Sequence, residues 1–171
     1  MNPLSLAIQF TLGAEGKFTI DNGGPTMYGV TQSVYDAYRN AHGLYHTTVA
    51  AISMSEVLDI MQTRYWEPAH CDVMTPQLAI AHFDWSYNHG DEGALKTLQA
   101  VLGVGVDGIW GHDTQSAAQD AGDAIVPRYL DARRAWYRDD AARDPAVTKD
   151  LDGWLNRVDN LQAYLAKNFP A

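Results

Sequence analysis

The sequence predicts a mainly α fold with a short β-hairpin or extended loop after the first helix. Apolar residues recur at helical spacing along most of the chain, and capping residues precede several of those stretches. The strongest turn chemistry, Asp21-Asn22-Gly23-Gly24-Pro25, falls in one place near the start.

Residues 3–15 read as a helix whose apolar stripe carries Leu4, Ile8 and Leu12, and Glu15 extends that stripe. With Gly16 as the helix stop, Glu15 falls in the last turn, facing the core at the negative end of the helix dipole. Burial and that dipole both raise a carboxyl pKa, which makes Glu15 a candidate proton donor. The alternation Lys17, Phe18, Thr19, Ile20 then leads into the turn and predicts the hairpin.

Thr31 is placed to cap a second helix running to about residue 42, with Val34, Tyr38 and Ala41 on one face. Ser53 and Glu56 have capping-box spacing for a helix carrying Val57, Ile60, Met61 and Tyr65, which Pro68 ends. Residues 76–88 form the next predicted helix. Asp91 is the expected cap of a helix that includes Leu95 through Leu102, with Gly103 as its stop. The glycine-rich stretch 103–111 breaks the pattern and is the expected seam between lobes, before helices near 113–121, 124–140 and 146–167.

At 171 residues and 46% hydrophobic, the chain can bury one core, or two small lobes sharing one. No apolar run approaches the ~20 residues that span a bilayer, and Met1-Asn2-Pro3-Leu4 lacks the features of a secretory signal. Cytoplasmic synthesis without stable membrane insertion is the expectation. Cys71 is the single cysteine, so an intrachain disulfide is excluded and a buried, inert thiol is expected. The net charge of −9, from 12 basic and 21 acidic residues, argues against nucleic acid as a partner. Arg128, Arg133, Arg134 and Arg138 alternate with Asp131, Asp139 and Asp140, and read as a solvated helix face of mixed charge.

Glycoside cleavage needs an acid at the leaving oxygen and a carboxylate or held water on the other side of the sugar. Glu15 suits the first role, Asp21 in its polar turn stays ionised for the second, and the Thr26 hydroxyl can hold a water. Read on their own, the same residues equally fit a solvent-facing Glu and an ordinary turn Asp. The histidines do not make a metal site. His42 and His46 are separated by Gly43 without an H-E-x-x-H, His70-Cys71-Asp72 are adjacent and diverge, and His82 and His89 lack a third ligand. Neither a metal nor a cofactor is expected, and G-x-S-x-G is absent.

Glu15-Gly16, Phe18, then Asp21-x-Gly23-Gly24-x-Thr26-x-x-Gly29-Val30-Thr31 resembles the motif of the glycoside hydrolase family 108 lysozymes, N-acetylmuramidases found as phage endolysins and in bacterial genomes. Two departures are Lys17, where the family has a second glycine, and a shorter stretch from Glu15 to Asp21. The second half is similar to the predicted peptidoglycan domain that accompanies this family. It carries Phe83-Asp84-x-x-x-Asn88-x-Gly90, Leu98-Gln99, Asp107-Gly108-x-x-Gly111-x-x-Thr114 and Gly153-Trp154-Leu155-Asn156-Arg157-Val158.

The resemblance implies a lysozyme-like fold, with a muramidase region over residues 1–81 and a peptidoglycan-binding-like region over 82–171, packed as one body. It implies hydrolysis of the β-1,4 bond between N-acetylmuramic acid and N-acetylglucosamine, with Glu15 as acid and Asp21 and Thr26 assisting. From the chemistry of sugar faces and amides, Tyr28, Trp85, Tyr87 and Asn88 are the candidate sugar contacts, with Trp110, Trp154 and Arg157 weighed beside them; core packing is the commoner role of all these aromatics, and capping or salt-bridging accounts equally well for Asn88 and Arg157. The expected setting is a monomeric endolysin in the host cytoplasm, reaching the wall through a holin lesion. A lytic transglycosylase and a non-catalytic wall-binding module are the alternatives.

Overall fold

The computed structural model describes residues 2–13, 19–21 and 24–170. Among these the chain is mainly α, with eight α-helices and a three-stranded antiparallel sheet in the order β1-β2-β3. It divides into two compact units, Met1–Pro68 and Ala69–Ala171.

In the first unit, α1 (Pro3–Thr11) is opened by Asn2, whose side chain accepts the Leu4 N–H at 3.0 Å, with Pro3 at the first helical position. The helix ends earlier than its apolar stripe suggests. Leu12 is the C-cap, and Gly13 takes φ +68° and donates to the Phe10 carbonyl at 3.1 Å. Gly13, not Gly16, therefore supplies the left-handed residue, because the first glycine met after a helical run can leave the helix at no Cβ cost. The expected extent of this helix, residues 3–15, is corrected at its end accordingly. Glu15 itself, with Gly16, Lys17 and Phe18, lies outside the described residues.

The hairpin expected after the first helix is a small sheet: β1 (Thr19–Asp21), β2 (Gly24–Met27) and β3 (Val30–Thr31). Helix α2 (Gln32–Ala41) begins where predicted, with the Thr31 side chain accepting the Val34 N–H at 3.4 Å. The capping box is present at α3 (Met54–Met61): Ser53 and Glu56 each take the other's backbone N–H. The helix continues as one π turn, Gln62–Trp66, ahead of Pro68. Leu6, Ala7, Tyr35, Val57, Ile60 and Met61 are buried in this unit, and α1 packs against α3.

The second unit holds α4 (Pro76–His89), α5 (Asp91–Leu102), α6 (His112–Ala121), α7 (Val126–Arg143) and α8 (Leu151–Asn168). Gly90, at φ +86°, replaces Asp91 as the cap of α5, and Asp91 becomes its first residue, where a negative charge still favours the helix start. Gly103 ends α5 at φ +76°, as predicted. The glycine-rich stretch that follows is internal to this unit and is not a seam. No helix among the described residues is long and apolar enough to cross a membrane.

Candidate active site

In the first unit the sheet register pairs Asp21 with Gly24, and Thr26 with both Thr19 and Thr31. Asp21 and Thr26 thus occupy ladder positions of the same parity, separated by one intervening pair. Thr26 is half-buried. Tyr28 and Gly29 form the two-residue connection between β2 and β3, at φ +50° and +74°. Two positive φ values match the primed turns that suit the twist of paired strands. Asn or Asp is the usual first residue of such a turn, and a bulky tyrosine there holds strain.

Behind the sheet's exit, α2 and α3 are tied together by a carboxylate that sequence reasoning saw only as a cap. Glu56 accepts from the Ser53 N–H and hydroxyl at 2.9 Å each, from the Tyr35 hydroxyl at 3.1 Å, and from Arg39 at 2.8 Å. Burial works to raise its pKa, but the Ser53, Tyr35 and Arg39 interactions outweigh it and hold the carboxyl below its usual value. Glu56 is a fixed anion rather than a proton donor.

The second-unit candidates cluster at the C-terminal end of α4 and divide by exposure. Trp85 is 0% exposed, packed against Tyr129 at 5.3 Å and under the Arg133 guanidinium at 5.6 Å. A ring without accessible surface has no face to offer a sugar, so Trp85 is assigned to the core, a correction to its reading as a substrate contact. Tyr87 is half-buried and stacks on Phe83 at 5.9 Å. Asn88 is exposed, with its amide donating to the Asp84 carbonyl at 2.6 Å.

The residue that organises this end of α4 is Asp84, which is fully buried. Arg133 from α7 donates to its Oδ2 at 2.8 Å, and Arg157 from α8 donates to its Oδ1 at 2.7 Å. Burial alone would raise the Asp84 pKa, but the Arg133 charge and the bonds and charge of Arg157 reverse that and keep it ionised. Arg133 is itself 0% exposed, which corrects its placement on a solvated face. Arg134 does lie on such a face, pairing with Asp131 and Asp159. A sequence signal existed: Asp84 lies among Ile80, Ala81, Phe83 and Trp85, a helix apolar on all sides, where a charge requires a partner.

From this brace a polar chain runs outward. Tyr137 accepts from Arg133 Nε at 2.9 Å and its hydroxyl lies 3.2 Å from His89 Nδ1. Burial and the Arg133 charge push the His89 pKa down to about 4, so the ring is neutral near pH 7. Trp154 packs edge-on to His89 at 5.1 Å. The four described carboxyls whose pKa is shifted, Glu56, Asp84, Glu92 and Asp107, are all shifted down, so none of them is a proton donor near neutral pH.

A mainly α, lysozyme-like protein is the class that this fold defines. Residues 8–90 match the Glycosyl hydrolase 108 family, and residues 93–159 match the Predicted Peptidoglycan domain. The region similar to the hydrolase family comes first and the region similar to the peptidoglycan domain follows it. Among solved structures, that of Brucella abortus SagA is similar over 95% of this chain and 94% of its own, at 27% identity and a TM-score of 0.72. No curated protein matches the sequence. The two matched regions and the structural likeness support a peptidoglycan-hydrolysing or peptidoglycan-binding enzyme.

Proposed function

We propose that the chain is a muramidase, hydrolysing the β-1,4 bond between N-acetylmuramic acid and N-acetylglucosamine with Glu15 as the general acid. The observation that carries this reading is the family match over residues 8–90, which contains Glu15-Gly16 and the Asp21 to Thr31 motif in the family's order. In this reading Glu15 protonates the glycosidic oxygen as the bond to the anomeric carbon breaks. The sugar cation is met from the other side by the Asp21 carboxylate or a water held by Thr26. Tyr28, Tyr87 and Asn88 contact the glycan. Catalysis belongs to residues 1–81 and wall attachment to 82–171, a division supported by the order of the two matched regions.

The proposed setting is a phage endolysin, monomeric, held in the host cytoplasm until a holin lesion admits it to the wall. Purified wild type is expected to clear cell walls, and Glu15→Gln to lose ~10²–10⁴-fold of that rate. Mass spectrometry of the digest is expected to show reducing N-acetylmuramic acid ends. Anhydro-muramoyl ends would replace the hydrolase by a lytic transglycosylase. Equal clearing by wild type and variant would remove Glu15 from the acid role, and sedimentation on walls without clearing by either would leave a binding module.

A further inference from the structure

Helices α2 and α3 of the first unit leave an open cavity of about 240 Å³ between them. Val34, Ala37, Tyr38 and Ala41 stand at i, i+3, i+4 and i+7 on α2 and line one wall, and Ile60 of α3 lines the other. Alanine at positions 37 and 41 leaves the space that a longer side chain would fill. Thr63 and Arg64 complete the lining from the π turn that follows α3. Single π turns of this kind are rare and occur frequently at functional sites.

The polar side chains around the cavity are already committed, with one exception. The Tyr38 hydroxyl donates to Asp59 Oδ2 at 2.9 Å, and burial with that bond pushes its pKa up to about 12, so it stays protonated. His42 Nδ1 donates to the Tyr38 carbonyl at 2.8 Å, since a carbonyl only accepts, and its Nε2 lies 3.7 Å from Asp59 Oδ2. The Thr63 hydroxyl donates to the Asp59 carbonyl at 2.8 Å. Arg64 is exposed and has neither a hydrogen bond nor an ion pair from its guanidinium among the described residues. An unpaired cation beside an apolar wall, on a chain of net charge −9, selects a molecule with an apolar body and an anionic end.

We propose that this cavity is a binding site for a medium-chain carboxylate, whose aliphatic body packs between Val34, Ala37, Ala41 and Ile60 while its head pairs with the Arg64 guanidinium. Size sets the chain length. A dry cavity of about 150 Å³ takes benzene, so one of about 240 Å³ takes about ten non-hydrogen atoms, the size of octanoate. The planar carboxylate matches the guanidinium fork through two parallel hydrogen bonds, which a compact ammonium or an alcohol at the same place does not. The site stands independently of the muramidase reading, because none of its residues is assigned to catalysis or to glycan contact.

The test titrates the full chain with octanoate, followed by nuclear magnetic resonance, and reads Tm in parallel. One-to-one binding with a Kd at or below ~1 mM and a rise in Tm are expected. Acetate, which lacks the body, and octylamine, which reverses the charge, are expected not to bind. Arg64→Gln is expected to weaken octanoate binding at least about fivefold. Ala37→Leu fills the cavity from an exposed helix position with another strong helix former, and is expected to abolish binding at an unchanged ligand-free Tm. Absence of octanoate binding overturns the proposal, as does undiminished binding by Ala37→Leu. Equal affinity for octylamine, or Arg64→Gln binding as the wild type does, overturns the assignment of an anion. A dimer of the ligand-free chain that Ala37→Leu dissociates makes a second copy the occupant and overturns the proposal as well.

Discussion

Tyr28 is the residue at which the sheet's geometry and its side chain disagree. Its turn demands φ > 0 at two positions, Gly29 meets the second without cost, and the tyrosine meets the first under strain. Strain of this kind persists where the side chain has a use. Tyr28→Asn creates Asn-Gly, the preferred pair for such a turn, and should stabilise the chain by about 0.5–1 kcal/mol. A rise in Tm together with slower wall clearing would assign the ring to the glycan. A rise in Tm at unchanged clearing would assign it to the turn alone. The Asn-Gly preference is visible in a sequence, but the tyrosine's positive φ is not, because it follows from the pairing of Met27 with Val30.

Among the elements, α4 shows how little of a helix's role its own residues reveal. Its span was readable from apolar spacing, as was the reciprocal Ser53–Glu56 box at α3 from capping chemistry. Both signals are local in sequence. The partners of Asp84 are not: Arg133 is 49 and Arg157 is 73 residues away. Only the packing of α7 and α8 on this part of the chain shows that one carboxylate serves two guanidiniums. Asp84→Asn leaves Arg133, which is 0% exposed, without its counter-charge. The expected cost is about 3–5 kcal/mol, read by chemical denaturation. The same packing explains why Trp85 was misassigned: Trp rings on a helix surface and in its core look alike in sequence.

For the molecule as a whole, acid sensitivity follows from histidines buried in the neutral form. His82 is 2% exposed, with its Nδ1 2.7 Å from the Tyr129 hydroxyl, which itself donates to the Ala94 carbonyl. Burial and the nearby His70 push its pKa down to about 3, and that of His89 lies at about 4. Both are neutral in either state above about pH 6.5. As pH falls below that value, the unfolded chain takes up protons that the folded chain refuses, so stability declines until the folded pKa values are reached. The slope from His82 is about 1.4 kcal/mol per pH unit within that window. Glu56 and Asp84, whose folded pKa values are lowered, begin to withdraw their contribution as pH falls below about 4.5, and add to the lower part of the decline. Tm should therefore fall steadily from pH 7 to pH 4, and His82→Asn, which keeps a polar partner for Tyr129, should flatten the decline. A flat wild-type profile would show that these histidines charge without unfolding.

By itself the sequence determined the mainly α architecture, the starts of α2 and α3, the end of α5, and the family resemblance, because periodicity, caps and short motifs are written within a few residues of where they act. Tertiary structure alone decided which rings are buried, that Arg133 is an interior cation, and that the glycine-rich stretch lies inside one unit and is not a seam. Each of those depends on groups brought together from distant positions, where burial and charge pairing outweigh local preference.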